Sequence, residues 1–551
     1  FHQYSFISNT QPQAISRFLS KFSMLSVLGI AAVTCFIFYA YWEKSQKSQL
    51  EKMIRMALAT VILVLAAVLL KTGYLLSQVG ITAMLYLSIL FILNFKISRL
   101  SMIVVSVLTI FEFGYNAYLS QVTFGYDDVH KFADATVSVK RVTDNIQENA
   151  DQKFYRIATD FAYSRTVPSL VSYPGLSTFS SSLERSTMDH FAFMGDLGVN
   201  AATQYSNGTP LTDALYGVRY FMSAKDFDPK DIEANPDKMY FYRFTDRFDL
   251  HRYFTDKVYE DKRYVVYKNP NSFPLAYGTN SLVRNIQFGA NNAFANQNII
   301  LNSMEGHQKA NNDTVEYFKP LAFSSIETEN VIEEKVNKET GEAIYKRADS
   351  SKDAIIRYKV TPRTNYTYYF FTPVSLIQNQ DYSVLLNNKW LLNAKIFTQR
   401  QIWQLTDQTE NQETVIEFRF RTDHIDMSNA GVYRADVDQI QQVLENRKKQ
   451  GLQVTKFSNT HIVGDVSITD DSNYMMTSIP YSDGWKVKVD GKFVKTEKAW
   501  NAFLSFPISK GNHKVEFVFR QKGVILGALL SIVSVAYLVI QMRRSRSNEG
   551  Q

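Results

Sequence analysis

The placement of long apolar runs at the two ends of the chain constrains its fold more than any other feature. A helix needs about 20 mostly apolar residues to cross the hydrocarbon core of a bilayer. Runs that reach or approach this length lie at residues 24–42, 53–70, 74–95, 100–119 and 524–542. The sequence therefore predicts a multi-pass α-helical membrane region, a large polar domain and a C-terminal transmembrane helix.

Lysine and arginine in the short links predict the orientation of these helices, because such residues collect on the cytoplasmic side. The link after the first run contains Lys44, Lys47, Lys52 and Arg55, and the tail after the last run contains Arg543, Arg544 and Arg546. With both segments in the cytoplasm, the long polar middle lies outside the membrane. We therefore expect a multi-pass protein of the cell membrane whose main domain is extracytoplasmic.

Cysteine content and charge narrow the class of protein. The chain has 551 residues, a formal net charge of +7 and one cysteine, Cys35, inside the first apolar run. A large exported domain without disulfides fits a bacterium. Much of the positive charge flanks the apolar runs and no nucleic-acid motif accompanies it, so a nucleic-acid partner is not expected. Because the chain starts at Phe1, we expect it to be the C-terminal part of a longer protein.

The periodicity of the polar middle predicts two subdomains between membrane segments at 1–120 and 521–551. From 121 to 285, helical patterns at 128–149 and 184–193 alternate with a strand at 155–158 and a helix that runs into a strand at 211–222, which predicts an α/β unit. From 286 to 520 the period is mostly two. Ile416, Phe418 and Phe420 alternate with charged residues, as in a strand with one wet face. This part is predicted to be a jelly-roll-like β-sandwich, so the whole middle is α+β.

Local signals place three elements in the second subdomain. Asp490-Gly491 lies between two alternating runs and predicts a hairpin. The aromatic run at 366–371 predicts a strand. Asp436 and Gln439 have the spacing of a capping pair at the start of a helix, and Gly451 is a plausible stop.

Glu112 is the one carboxylate inside the fourth apolar run, and Asn116 lies one turn later on the same face. An ionisable group at that depth is costly unless it faces a partner or water. Two interpretations stay open: Glu112 and Asn116 line an outward-facing cavity, or Glu112 is an interfacial residue held by Asn116 or a neighbouring helix.

Polar residues near the predicted helix at 184–193 form a second candidate site. Arg185, Asp189 and His190 lie within one to two turns, with Asp196 soon after. Together they could bind a phosphate or a sugar.

Two further candidates are weaker. Asp423, His424 and Asp426 could coordinate a metal, but alternation in a strand points His424 away from its neighbours. Tyrosine and tryptophan can stack on sugar faces, and they also fill β-sandwich cores. The tryptophans weighed in this way are Trp390, Trp403, Trp485 and Trp500, of which Trp485 is the candidate sugar contact.

Several segments resemble the YfhO family of bacterial membrane proteins. They are YPGLSTFSSS from Tyr173, TPLTDALYGVRY from Thr209, YKNPNSFPLA from Tyr267, IPYSDGWKVKVDGK from Ile479 and KGNHKV from Lys510. The second differs from the family pattern by Tyr216 in place of leucine. Their order and spacing extend over nearly the whole chain.

The resemblance implies a polytopic glycosyltransferase of the GT-C type. Such enzymes move a sugar from a polyprenyl-phosphate carrier to an envelope polymer on the outer face of the membrane, with teichoic or lipoteichoic acid implied here. The expected partners are membrane lipid, the lipid-linked donor and an anionic polymer acceptor, with a divalent metal possible. The catalytic aspartate of that fold lies in an early outer loop that this chain does not contain, so no catalytic residue is assigned.

Two other functions remain open at this point. The protein could be a non-catalytic envelope module whose β-domain binds polymer or partners, or a flippase or transporter. The last predicts several charged or broken helices near the midplane, and Glu112 alone fits that pattern. An acidic residue just after the first membrane helix of the full protein would favour the enzyme over the module.

Overall fold

The computed structural model divides the chain into two compact units, residues 1–127 and 128–551. It describes residues 99–123, 129–199, 201–205, 208–225, 242–243, 247–254, 256–289, 292–308, 313–337, 341–363, 366–372, 382–393, 402–406, 412–469 and 472–549, and scattered positions between 48 and 86. The predicted runs at 24–42, 53–70 and 74–95, together with Cys35, therefore lie outside the described residues or almost entirely so.

The first unit contains a helix where the fourth apolar run was predicted. It extends over Arg99–Thr123 and exposes apolar side chains such as Leu100, Ile110 and Phe113. Within the described residues, the helix that is long and apolar enough to cross a membrane is in the second unit, at Val524–Gln541, and none of it is buried. The multi-pass bundle stays a prediction.

The second unit begins with short helices and strands in alternation. The helices are Val129–Glu148, Val167–Val171, Arg185–Phe193, Pro210–Leu215 and Leu250–Tyr253. The strands are β1 (Arg156–Thr159), β2 (Phe161–Ala162), β3 (Thr178–Phe179), β4 (Leu197–Val199), β5 (Ala202–Gln204), β6 (Val218–Ala224), β7 (Tyr242–Arg243), β8 (Asp256–Glu260) and β9 (Tyr264–Lys268). The four elements predicted for this region are confirmed.

Helix Val129–Glu148 covers a mixed sheet in the order β1-β6-β9-β8. Its buried residues Ala135, Val139, Val142 and Ile146 recur every three or four positions, which places them on one face. That apolar stripe packs with Tyr264 and neighbouring strand residues in one cluster. This apolar face is therefore the reason that the helix lies on the sheet.

The segment from Thr209 shows how the chain turns from helix to strand. Thr209 and Thr212 cap the helix reciprocally, each side chain accepting from the other's backbone N–H, and Pro210 occupies the first turn. Gly217 ends the turn with φ of +64°, a conformation that favours glycine. Strand β6 follows at once, pairing parallel with β1.

Antiparallel strands dominate the next part, in which the 3₁₀ helix Ser281–Asn285 and the helix Ala293–Glu305 lie between the first two strands. These strands are β10 (Ala276–Thr279), β11 (Phe318–Leu321), β12 (Ser325–Glu329), β13 (Val331–Asn337), β14 (Glu342–Arg347), β15 (Ala354–Val360), β16 (Thr367–Phe371), β17 (Tyr382–Leu386), β18 (Lys389–Asn393), β19 (Ile402–Thr406), β20 (Thr414–Phe420), β21 (His424–Asp426) and β22 (Gly431–Ala435).

Two of these sheets share an apolar core. One has the order β12-β15-β20-β17-β18 and the other β11-β22-β16-β19. Tyr358 and Phe418 from the first cluster with Phe370 and Trp403 from the second. The predicted wet face of β20 needs correction, because Glu417 is buried between Arg357 and Arg419, which bind its carboxylate.

The last part begins with helix Val437–Lys449, which Asp436 caps as predicted by accepting from Gln439 N–H. The strands that follow are β23 (Gln453–Phe457), β24 (His461–Ile468), β25 (Tyr474–Pro480), β26 (Trp485–Val489), β27 (Lys492–Val494), β28 (Glu497–Ala499), β29 (Phe503–Pro507) and β30 (Gly511–Phe519). Helix Val524–Glu549 ends the chain. The sheet β23-β24-β30-β26-β27 leads directly into this helix.

The predicted hairpin at Asp490-Gly491 is confirmed between β26 and β27. Both turn residues have positive φ, +50° and +80°, which matches the twist of the flanking strands. The Asp490 carboxylate also contacts His513 Nδ1 at 2.8 Å and accepts from Lys514 N–H at 2.9 Å.

Long-range pairing joins the early and late parts of the second unit. Strand β10 pairs with β25, which lies almost 200 residues later in the sequence. The two strands are neighbours in the sheet although the intervening residues separate them along the chain. One apolar core includes Phe221 and Phe273 on one side of residue 285 and Phe294, Phe318 and Phe503 on the other. The subdomain boundary at 285/286 stays a prediction.

Candidate functional site

One candidate binding site in the described part of the second unit is an open groove of about 410 Å³. It lies between the 3₁₀ helix Ser281–Asn285, helix Ala293–Glu305 and residues 307–308 and 314–316. Its lining is Leu282, Asn285, Ile286, Gln287, Asn298, Ile299, Asn302, Ser303, His307, Gln308, Thr314, Val315 and Glu316. The groove is therefore a mixture of carboxamide, hydroxyl and aliphatic groups.

Two asparagines, Asn298 half-buried and Asn302 buried, fix the wall of the groove. Asn298 imitates a neighbouring strand by pairing with Phe318 through both its amide nitrogen and its carbonyl, each at 2.8 Å. Asn302 does the same for Val315, at 2.8 and 2.7 Å. Because their hydrogen-bonding groups serve the backbone, these residues hold the 314–318 segment against the helix.

Other lining residues are available to a ligand. Asn285, Gln287 and Gln308 are exposed, and each carboxamide offers two donors and one acceptor. His307 adds a buried Nδ1 atom that has no hydrogen-bond partner among the described residues. Ile299 is 40% exposed and supplies an apolar floor on which the face of a ring could rest.

The charge of the lining residues indicates which class of ligand the groove can bind. Among the lining residues, Glu316 is the one carboxylate, and none is lysine or arginine. Phosphate groups are bound by such cations or by helix N-termini. Carboxamides match hydroxyl groups, which both donate and accept. The groove therefore suits a neutral, hydroxyl-rich ligand better than a phosphate.

The sequence also contains a signal for this groove. Asparagine and glutamine are dense from Asn285 to Asn312. Whether these amides can bind a ligand depends on their partners: Asn298 hydrogen-bonds to the backbone, whereas Gln287 is exposed. That division follows from tertiary packing.

The candidate site at Arg185, Asp189 and His190 is divided by burial. All three lie on helix Arg185–Phe193, but Arg185 is 89% exposed at its side chain and pairs loosely with Asp189, at 3.6 Å. His190 is 1% exposed and faces the core instead. Asp196 is also buried. The structure therefore brings Arg185 and Asp189 together and leaves His190 apart from them.

His190 lies in an aromatic environment. Its ring stacks on Trp500 at 6.0 Å and meets the edge of Phe503 at 4.7 Å, with Tyr216 and Phe288 also in contact. Neither ring nitrogen has a hydrogen-bond partner among the described residues. Burial lowers the pKa of His190 to about 3, so the ring is neutral at physiological pH.

A pH-dependent stability difference should follow from this burial. Between pH 6.5 and about 3 the unfolded state binds a proton at His190 that the folded state does not, so the free energy of unfolding falls as the pH falls. His190→Leu should remove the part of this pH dependence that comes from His190, which is up to about 1.4 kcal/mol of unfolding free energy per pH unit. Urea denaturation of both proteins at pH 7, 6 and 5 measures it, and parallel pH curves would contradict the assignment.

The remaining candidates are distributed over the fold. Trp403 and Trp500 are buried in cores, and Trp485 packs its partly exposed ring on Phe519 at 5.1 Å. The Trp390 side chain lies outside the described residues. Glu112 and Asn116 belong to helix Arg99–Thr123, and their side chains also lie outside the described residues.

The possible metal ligands Asp423, His424 and Asp426, which strand alternation already argued against, do not converge. Asp423 pairs with Arg347 at 2.6 Å, and His424 lies 3.4 Å from Glu334. Across the described part of the chain, no three His, Cys, Asp or Glu side chains converge as a metal site would require. No described residue is therefore assigned to a divalent metal.

The TPLTDALYGVRY segment contributes to a buried charge cluster that pattern reading missed. Arg247 binds Asp213 at 2.7 Å and Asp249 at 2.8 Å, and these side chains are 2%, 1% and 1% exposed. The Tyr205 hydroxyl donates to Asp213 at 2.6 Å. Burial raises the pKa of Asp213, and the positive charge of Arg247 opposes that shift.

Other family-like segments meet beside this cluster. The side-chain amide of Asn269, in YKNPNSFPLA, donates to the Val218 carbonyl at 2.9 Å. The backbone carbonyl of Asn269 accepts from the Arg219 side chain at 2.7 Å. Arg156 joins the Tyr216 carbonyl to Ser478 near IPYSDGW, at 2.7 and 2.9 Å. These segments therefore build the junction between the α/β part and the C-terminal strands.

Comparison with known proteins agrees with these segments. The sequence model of the family described as bacterial membrane protein YfhO matches residues 16–531. The chain belongs to the YfhO family. Membership and the helix Val524–Gln541 together support membrane association.

Individual relatives give shorter matches. "Uncharacterized protein YfhO" of Bacillus subtilis (strain 168) is 26% identical over 121 residues, which is 22% of this chain and 14% of that protein. Among solved structures, an anti-sigma factor domain-containing protein from Clostridium clariflavum is 12% identical and matches 36% of this chain and 89% of its own, with a TM-score of 0.11. That likeness carries no structural argument.

Proposed function

We propose that this YfhO-family protein takes part in glycosylating a cell-envelope polymer at the outer face of the bacterial membrane, and that the amide-lined groove holds hydroxyl-bearing units of the acceptor. The observation that carries the proposal is the neutral lining of Asn285, Gln287 and Gln308 over an aliphatic floor. The family resemblance supplies the reaction class, transfer from a polyprenyl-phosphate sugar.

The physical chemistry of that reaction needs a membrane-tethered acceptor module. A lipid-linked donor stays in the bilayer, so its reactive carbon lies near the membrane surface. A polymer held by several hydroxyl contacts beside that surface has its reacting hydroxyl at high effective concentration. A carboxylate would then act as base on that hydroxyl. No described residue is assigned that role.

The topology belongs to the same proposal. It includes several membrane helices in residues 1–120, an extracytoplasmic middle, and a cytoplasmic tail after helix Val524–Glu549. The two sheets that share the core around Phe370 and Phe418 are then a β-sandwich, a fold that presents loops and grooves to ligands. Anionic groups of the polymer would contact the protein outside the groove, because its lining has no cation.

A double substitution in the groove tests this proposal. Asn285→Ala with Gln287→Ala should weaken binding of a purified wall polymer about tenfold, because each hydrogen bond contributes about 0.5–1.5 kcal/mol. Binding is measured on the detergent-solubilised full-length protein, and polymer glycosylation is measured in cells that carry the same variant. Asn512→Ala, an exposed amide on β30, is the matched control and should change neither measurement.

The two measurements separate the possible functions. Parallel loss of binding and glycosylation supports the enzyme. Loss of binding with glycosylation unchanged supports the alternative, a non-catalytic envelope module whose β-domain binds polymer. Unchanged binding in the double variant rejects the groove as the acceptor site.

A further inference from the structure

The IPYSDGW segment packs against the residues that directly precede the membrane helix. The Trp485 ring lies 5.1 Å from that of Phe519, and Arg520 N–H donates to the Gly484 carbonyl at 2.9 Å. Asp483 accepts from Lys522 Nζ at 2.6 Å. We name residues 481–486 and 519–522 the juxtamembrane collar. These contacts join a turn of the sheet to the last residues before the helix.

Gly484 shows how closely the two segments approach. A Cβ atom at this position would lie 2.6 Å from the Phe519 ring and 2.8 Å from the Arg520 carbonyl oxygen. The turn itself is closed by Trp485 N–H, which donates to the Ser482 carbonyl at 3.0 Å. A glycine is therefore needed for the backbone of the turn to meet the start of the link.

The collar is close to the membrane boundary by covalent geometry. The apolar helix starts at Val524, and two residues after Lys522 reach at most about 7 Å. When Val524–Gln541 spans the bilayer, Phe519 to Lys522 must lie near its head groups.

The composition of the collar matches that location. Tyrosine and tryptophan are enriched where membranes meet water, and here they are Tyr481 and Trp485, both partly exposed. Lys486, Arg520 and Lys522 give three positive charges against the single negative charge of Asp483, a net +2. Each cation near an anionic lipid surface contributes about 1 kcal/mol of attraction.

We propose that the juxtamembrane collar is a lipid-binding surface that lies in the head-group layer, binds anionic phospholipid head groups and holds the C-terminal sheet at a fixed distance from the bilayer. Trp485 is then an interfacial anchor, and the sugar contact expected of it is not part of its role. The proposal concerns a different surface from the groove and does not depend on the reaction.

Site-directed fluorescence in lipid nanodiscs tests the collar. This 551-residue chain with Cys35→Ser receives a single labelled cysteine, either by Ser482→Cys in the collar or by Asn512→Cys on β30. Both positions are exposed. Position 512 is seven residues from Phe519 along the same strand, about 24 Å away. Head-group nitroxide lipid should quench the label at 482 at least twofold more strongly than the label at 512.

Charge reversal supplies the second arm. Arg520→Glu with Lys522→Glu should reduce quenching at 482 in anionic nanodiscs and leave quenching at 512 unchanged. A label introduced by Gln521→Cys repeats the measurement if the Ser482→Cys protein does not fold. Equal quenching at the collar and at 512, or quenching at 482 that does not respond to charge reversal, overturns the proposal.

Discussion

Arg247→Met should destabilise the second unit by about 3–5 kcal/mol, because it leaves Asp213 and Asp249 buried without their cation. One or both carboxylates must then take up a proton or recruit water. Removal of the guanidinium also exposes the space that Gly208 leaves for it, since a Cβ there would lie 2.1 Å from the Arg247 Nη1 atom. Urea denaturation of the detergent-solubilised chain, followed by tryptophan fluorescence, measures the loss.

Arg263→Met is the matched control for that experiment. Arg263 pairs with Asp134 at 2.6 Å, but both side chains are substantially exposed. Exposed pairs contribute about 0–1 kcal/mol, so this variant should unfold near the wild-type midpoint. If the free energy of unfolding of Arg247→Met is also within about 1 kcal/mol of the wild-type value, the buried charge cluster does not stabilise the fold as its burial indicates.

Trp403→Ala should cost about 3–5 kcal/mol of stability, the usual range for removal of a fully buried aromatic side chain. Trp403 is 0% exposed and packs edge-on against Phe418 at 6.1 Å, in the core shared by the two sheets. Its Nε1–H donates to Thr372 Oγ1 at 3.4 Å. Thermal unfolding followed by far-ultraviolet circular dichroism avoids the change in fluorescence that the substitution itself causes.

Trp403→Phe provides the conservative comparison, because it retains an aromatic ring and loses less volume. Its midpoint should lie between those of the wild type and the alanine variant. A sugar-contacting tryptophan would behave differently: the alanine variant would lose polymer binding and keep its thermal midpoint. That outcome would place Trp403 at a ligand surface and contradict its burial.

Elements that depend on neighbours in sequence were predictable. Asp490-Gly491 makes a hairpin because both residues adopt the positive φ that its turn requires, and Asp436 caps its helix through a contact three residues away. Helix Val129–Glu148 shows the same dependence on local pattern. In each case the determining interactions lie within one or two turns of the chain.

Features that depend on distant partners were not predictable. His190 has polar neighbours in sequence, but Trp500 and Phe503 enclose its ring from more than 300 residues away. Glu417 alternates as a solvent-facing residue would, yet Arg357 of the adjacent strand covers it. Sequence periodicity predicts that such side chains are exposed, because it carries no information about the distant residues that cover them.

The candidate sites show the same division. Arg185 and Asp189 are neighbours on one helix and lie 3.6 Å apart, whereas the groove requires Gln287 and Glu316 to come from separate segments. The charge cluster needs Asp213 to meet Arg247 across 34 residues. A single sequence gives the residue types of such sites, but it does not show which of these residues are in contact in the fold.

The pairing of β10 with β25 has a consequence for how the protein is made. Chains emerge from the ribosome at about 5–20 residues per second, so the roughly 200 residues between these strands take on the order of 10 to 40 seconds to synthesise. For that time β10 offers an open edge to any other extended segment nearby. Newly made protein should therefore depend on a chaperone until Tyr474–Pro480 arrives, and a chain truncated before this strand should aggregate rather than fold.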